Sequence, residues 1–306
     1  MNDRPVNRWR ARLGRGSGPT LVIAHRGDSA HAPENTIEAA RLGHSAGADA
    51  WELDVRLARD GVAVVFHDES LRRTTDVAVR FAADPRAGML RVADFDTPEI
   101  RSLDAGSWFL DPDGTGRTAA GFGTLEAIDS AARARYSSGN VRVPTLAEAL
   151  ELTAALDWLV NVELKATGDD GNALAESAIE AIEAAGVADR VLISSFDHDA
   201  VTYVARRWPG VATGVLTAEP IARAADYVRR VVGTDFYHPS AACLDDGGHG
   251  LDELRRAGVP VLVFTVNDSS PGGLADRLAT AGVAGLFTDD PEALTVRWRG
   301  RREVAP

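Results

Sequence analysis

Cysteine is almost missing from this chain: Cys243 is the only one among 306 residues. A lone thiol forms no internal disulfide and offers no CxxC pair for structural zinc, which fits a reducing, cytoplasmic setting. Long apolar runs are missing too. No stretch reaches the roughly 18–20 residues that a membrane-spanning helix needs. The first twenty residues, MNDRPVNRWRARLGRGSGPT, lack the apolar core of a secretory signal. Positive charge is in deficit. A net charge of -12 and a pI near 5.1 argue against a nucleic-acid partner, which calls for a basic face. A small phosphodiester can still be held by a few local cations, so acidity does not exclude that class of ligand. No glycine-rich dinucleotide fingerprint follows any apolar run, which counts against an open, doubly wound nucleotide-binding sheet.

What is present is a core of adequate size, with 45% hydrophobic residues. Apolar runs that read as parallel strands end at His25, Val55, Glu163, Ser195, Leu216, Tyr237, Thr265 and Thr288, and helix patterns separate most of them. Eight such βα units in about 250 residues predict an α/β fold of the TIM (β/α)8 type. Residues 1–19 and 296–306, both rich in arginine, read as solvated tails around one barrel domain over 20–295. Between about 71 and 142 the periodicity fails, so an irregular insertion or lid is expected after the hairpin that follows strand 2. Within it, Asp111–Gly123 reads as loop and Thr124–Ala134 as a helix.

Chemistry-bearing residues gather at the predicted strand ends, where a barrel of this type builds its active site. The runs are IAHRGDSAHAPENT, WELDVRLARDGVAVVFHD and NVELK. Glu52 and Asp54 are two apart on a strand and so share a face. With Glu163 they make an all-oxygen donor set suited to one divalent cation, Mg²⁺ or Ca²⁺ first and Mn²⁺ also, over Zn²⁺. The competing reading pairs these acids with Arg26 and Lys165 as salt bridges. His25 and His67 are the acid/base candidates. Asp60-Gly61 signals a hairpin turn; centred there, it would set Asp54 opposite His67. Arg26 offers a fork for a non-bridging phosphate oxygen pair, and Lys165 a point charge for the same anion.

Other residues read less sharply. Asn35 or Thr36 caps the helix that runs to about Ala46. Glu34 is placed to hold a histidine or the arginine. His238 ends a strand and is a candidate substrate contact, while Phe196 and Phe264 suit an apolar pocket wall. His31, His44, His198 and His249 read as surface or capping residues.

These residues are the ones by which the chain resembles the glycerophosphodiester phosphodiesterase family, a phosphatidylinositol-phosphodiesterase-like TIM barrel. The matching motifs are HRG (25–27), PENT (33–36), ELDV (52–55), DGVAVVFHD (60–68), VPTLAEAL (143–150), VELK (162–165), SF (195–196), FTVN (264–267) and GLFTDDP (285–291). The resemblance implies hydrolysis of small glycerophosphodiesters to glycerol 3-phosphate and an alcohol. It implies one divalent cation on Glu52, Asp54 and Glu163, His25 and His67 as general acid and base, and Arg26 and Lys165 on the phosphate. One departure touches the pocket: the late motif of the family usually begins with Trp, and Phe264 stands there. The rival readings are lysophospholipase D-like hydrolysis, which needs an apolar channel for an acyl chain, and a catalytically silent phosphodiester-binding barrel. Attack by water or by the neighbouring glycerol hydroxyl is left open by the sequence.

Overall fold

The computed structural model describes residues 6–14, 18–111, 126–244 and 250–304. Its strands are β1 (Leu21–Ala24), β2 (Ala50–Leu57), β3 (Ala63–Val65), β4 (Leu159–Leu164), β5 (Val191–Ser195), β6 (Ala212–Thr217), β7 (Phe236–Pro239), β8 (Leu262–Val263) and β9 (Gly285–Thr288). All but β3 run parallel, in the order β7-β6-β5-β4-β2-β1-β9-β8. Parallel bridges from Tyr237 to Val261 and from Ser240 to Phe264 bring β7 back to β8, so the sheet curls into a nearly closed eight-stranded barrel. The expected α/β TIM barrel is therefore the fold.

Alternation along the strands decides what fills the barrel. Leu21, Ala50, Leu159, Leu192, Phe236 and Leu262 point inward at the N-terminal end and make an apolar floor. Two residues further along, the inward positions turn polar, with Glu52, Asn161, Ser194 and His238 all buried. The outward positions pack on the helices through Val22, Leu53, Val160, Val162, Ile193 and their neighbours. The barrel is thus dry at the bottom and polar at the top.

Both ends of the chain depart from the expected tails. Arg8–Leu13 is a helix capped by the Asn7 side chain. Trp9 is fully buried in the apolar floor, with its indole N–H donating to the Arg190 carbonyl at 2.9 Å. Of the arginines that read as a solvated stretch, Arg8, Arg10 and Arg12 lie on the outer face of this plug; Arg10, for example, forks onto Asp235 at 2.9 and 2.8 Å. At the other end a helix spans Pro291–Val304, and the Trp298 indole donates to Asp276 at 3.1 Å.

The insertion is irregular in secondary structure but not in packing. Leu71, Val77, Leu90, Phe95, Ile100 and Leu103 are buried in a core of their own, which also takes in Val64 and Phe66 of the hairpin. Arg86 bonds both Asp84 and Glu99 and lies 4.0 Å over the Phe95 ring, closing one side of that core. Of the expected Thr124–Ala134 helix, the described part forms Ser130–Tyr136. The expected loop at 112–123 lies outside the described residues, as do the start of that helix and His249.

The hairpin register differs by one residue from the sequence reading. β2 and β3 pair Val55 with Val65 and Leu57 with Ala63. Asp54 therefore faces Phe66, whose N–H bonds its carbonyl at 2.9 Å, and not His67. The cause is the turn. Ala58 N–H bonds the Val62 carbonyl across a three-residue loop, with Gly61 at φ +80°. Asp-Gly here ends a type I turn with a left-handed residue, not a two-residue primed turn.

Candidate active site

At the C-terminal mouth of the barrel, His25, Arg26, Glu52, His67, Glu163 and Lys165 line one cavity of about 230 Å³. Arg26 is held at φ 58° and Gly27 at φ 81°, in a bend that carries the chain from β1 into the first loop. A side chain at Gly27 would sit 2.4 Å from the Ala39 carbonyl carbon, so this bend requires glycine. Backbone held in a sparsely populated region by its surroundings is a common mark of a working site.

Glu52, Asp54 and Glu163 each offer a carboxylate oxygen within 4.8 Å of the others, all buried. β2 and β4 put them together: in register, Asp54 lies beside Glu163. Glu52 Oε2 accepts from the Arg26 backbone N–H at 2.8 Å, while Oε1 is buried without a hydrogen-bond partner. Burial, and then the charge of Asp54, push the Glu52 carboxyl above its ordinary pKa. Burial opposes ionisation of Asp54 too, yet Lys165 and Arg26 hold it well below the usual range. A partnerless buried carboxylate oxygen beside an ionised one is costly unless a cation joins them, so the donor set fits a hard divalent ion. The competing salt bridges also form: Lys165 pairs with Glu163 and lies 3.2 Å from Asp54, and Arg26 Nε lies 3.2 Å from Asp54. They leave Glu52 Oε1 unserved.

Asn35 does not cap its helix; Thr36 does, accepting from the Ala39 N–H at 3.2 Å. Asn35 instead grips Asp54, its amide donating to Oδ2 at 2.8 Å and its Oδ1 accepting from the Asp54 N–H at 3.1 Å. Glu34 takes the guanidinium of Arg26 at 2.8 Å, as its sequence neighbourhood suggested.

Each histidine at the rim is backed by an aspartate. His25 Nδ1 is 2.6 Å from Asp289, and His67 Nδ1 is 2.6 Å from Asp68. Facing a carboxylate, Nδ1 carries the proton, which leaves Nε2 to exchange one. Burial alone would lower the His25 pKa; Asp289 outweighs it and the ring titrates above its ordinary value. Asp289 is itself fixed by the Asn267 amide at 2.7 Å and the Ser29 hydroxyl at 3.0 Å. Arg56 Nε donates to the His67 carbonyl at 2.7 Å and Nη1 to the Lys165 carbonyl at 3.1 Å, tying those two loops together. Asp289, Asp68 and Arg56 carry no assigned role in the sequence reading. The signal for Asp289 was available: GLFTDD places an acid one residue past a strand that pairs with β1.

Phe196 and Phe264 meet edge to face, 5.7 Å apart, along one wall, and Lys165 lies over the Phe196 ring. Phe196 is 45% exposed, so this wall opens to solvent. His238 does not join the site. Its ring is fully buried against Phe287 and Gly214, and neither ring nitrogen has a partner. It is not among the residues that line the cavity, and burial lowers its pKa to about 3.

Residues 25–293 match the model of the glycerophosphoryl diester phosphodiesterase family. The chain belongs to that family. It is a phosphoric diester hydrolase by that membership. It is 34% identical over 278 residues to a glycerophosphodiester phosphodiesterase of Caldanaerobacter subterraneus, covering 90% of this chain and 96% of that one. It is 30% identical over 274 residues to another from Bacillus altitudinis, covering 89% of this chain and 96% of that one. Its fold matches an Oleispira antarctica phosphodiesterase solved in complex with the product sn-glycerol-3-phosphate. That match has a TM-score of 0.74 and 28% identity, covering 92% of this chain and 97% of that one. Among the described residues, no helix is long and apolar enough to cross a membrane.

Proposed function

We propose that the enzyme hydrolyses small glycerophosphodiesters to glycerol 3-phosphate and an alcohol. The observation that carries this reading is the buried Glu52–Asp54–Glu163 cluster flanked by two histidines, each with Nδ1 committed to an aspartate. Glu52, Asp54 and Glu163 would hold one divalent cation, Mg²⁺ or Ca²⁺ before Mn²⁺. Such an ion, when bound, polarises a phosphoryl oxygen and neutralises developing charge. Arg26 and Lys165 hold the phosphate from the cavity wall. His25 and His67 then act through Nε2, one withdrawing a proton from the attacking hydroxyl and the other returning one to the departing alkoxide. Both routes of attack, water and the neighbouring glycerol hydroxyl, use the same two groups. The lone, partly exposed Cys243 suits a cytoplasmic setting for this chemistry.

A second reading, lysophospholipase D-like hydrolysis, draws on the half-exposed Phe196 against Phe264, a wall that an acyl chain could cover. The test is steady-state turnover of glycerophosphocholine and of a lysophospholipid by the parent, His25→Ala and His67→Ala. The reading expects glycerol 3-phosphate from the parent and a loss of about 10²–10⁴-fold in kcat in each variant. Turnover of the lysophospholipid alone would favour the second reading, and variants as fast as the parent would remove the histidines from the chemistry.

A further inference from the structure

Among the described residues, the Arg73 side chain links the insertion to the site. Leu71 and Val77 are buried in the insertion's own core, and Leu71 is tied to Leu90 by a backbone bond of 2.9 Å. Between them Arg73 turns the other way. Its Nε donates to Asp68 Oδ2 at 2.6 Å and its Nη2 to Asp68 Oδ1 at 3.1 Å. On its other edge Nη1 donates to Glu34 Oε2 at 2.8 Å and Nη2 to Glu34 Oε1 at 2.7 Å. One guanidinium thus spans two carboxylates with paired bonds to each, a geometry that lysine's single ammonium does not reproduce.

Those two carboxylates are the supports of different site residues. Asp68 holds His67 at 2.6 Å, and Glu34 holds Arg26 at 2.8 Å. Arg26 in turn lies 3.2 Å from Asp54. The result is an unbroken chain from His67 through Asp68, Arg73, Glu34 and Arg26 to a carboxylate of the cation cluster. Arg73 is not among the residues that line the cavity; it meets the site through Asp68 and Glu34.

We infer that Arg73 is a positioning residue: it locks the His67–Asp68 pair and the Glu34–Arg26 pair into one rigid unit, and the insertion exists in part to present it. This rests on the functional reading above. Without the fork, Asp68 and Glu34 lose their shared cation, Asp68 is free to swing from His67, and Arg26 loses the backing of Glu34. Charge on two carboxylates then has to be met by water, which a precise acid/base pair does not tolerate.

The experiment measures kcat and KM on glycerophosphocholine, with Mg²⁺ supplied, for the parent, Arg73→Gln, Arg73→Lys, Asp68→Asn and the Arg73→Gln/Asp68→Asn double variant. Thermal melts confirm that each is folded. The inference expects kcat to fall about tenfold or more in Arg73→Gln. The double variant should be no slower than its worse single parent, because both changes cut the same link. Arg73→Lys keeps the charge and should fold, so it carries the test if the glutamine variant does not; it too should stay at least about tenfold below the parent. A folded variant within about threefold of the parent, a double variant whose losses multiply, or full rescue by lysine would overturn the inference. To separate this from the functional reading, the Nδ1 proton resonance of His67 is followed by NMR in the parent and Arg73→Gln, whether or not either turns over substrate. A parent silent on glycerophosphodiesters sinks the functional reading alone. An Nδ1 resonance unchanged by Arg73→Gln sinks the positioning role alone, and its loss or exchange broadening sustains it.

Discussion

Replacing Asp289 by Asn removes one negative charge from beside His25 while keeping the side chain's shape. The folded protein holds the Asp289 carboxyl down to about 2: burial resists ionisation, but the His25 charge and hydrogen bond overcome it. In an unfolded chain an aspartate titrates near 3.9, and a gap of about 1.9 pH units at roughly 1.36 kcal/mol each is about 2.6 kcal/mol of stability. Asp289 is only 4% exposed, so solvent screening takes little from that figure. Its sign is fixed. The folded value is the lower one, so the contribution is full above about pH 4, roughly halved at pH 3, and gone below about pH 2. The His25 share runs the other way: its pKa is raised, so that share is complete below about 6.5 and is lost as pH climbs through the folded value. The deficit of Asp289→Asn is therefore largest between about pH 4 and 6.5. An amide would also keep only one of the two acceptor oxygens that now serve the Asn267 amide on one side and Ser29 and His25 on the other, so the deficit should not be smaller. Urea unfolding of chelated parent and variant at pH 5.5 should differ by about 2–3 kcal/mol, and at pH 3 by about half of that. A difference below about 0.5 kcal/mol, or one of equal size at both pH values, would refute this account of the pair.

Three further outcomes follow from the same structure. His238 stays neutral in the fold with a pKa near 3, so stability is complete above about 6.5 and drains as pH falls. His238→Leu should spare about 2 kcal/mol of the parent's loss between pH 7.5 and 5, and identical pH slopes in urea titrations would count against it. Gly27→Ala would drive a methyl into Ala39 at φ 81° and should leave no soluble folded enzyme; a variant melting within a few degrees of the parent would contradict the close approach. Lys165 is the sole lysine in the sequence, so acylation of amines reaches only it and the chain's α-amino group. Complete acylation, read by mass spectrometry, should abolish turnover and be slowed by glycerol 3-phosphate; undiminished turnover would remove Lys165 from the phosphate site.

Much of this was legible without coordinates because it is local. A polar residue closing an apolar run marks a barrel strand end, and eight such ends define the mouth where His25, Glu52, Asp54, Glu163 and Lys165 meet. The parity of Glu52 and Asp54 needs only the two-residue repeat of a strand. What was not legible depends on partners far away or on the detail of a turn. Asp289 stands 264 positions from His25 and reaches it only once β9 lies beside β1. One extra loop residue, with Gly61 left-handed, moved the hairpin register and put Phe66 opposite Asp54. His67 nonetheless lines the cavity, because the chain leaves the sheet after Val65. His238 shows the converse: a strand-end histidine can pack against Phe287 and Gly214 instead of lining the cavity. Trp9 was hidden among arginines, and only the apolar floor of the barrel reveals why it is buried. The insertion lacked periodicity because short turns, not long helices, carry its core.

The central claim is that Glu52, Asp54 and Glu163 form a cation site on which phosphodiester hydrolysis depends. The most direct measurement is glycerol 3-phosphate release from glycerophosphocholine and glycerophosphoethanolamine after chelation, and again with Mg²⁺, Ca²⁺ or Mn²⁺ restored, in the parent and in Glu52→Gln. The account predicts that turnover stops with chelator and returns with metal in the parent, and that Glu52→Gln needs far more metal to recover. Turnover that survives chelation, or a Glu52→Gln variant with the parent's metal dependence, would contradict it.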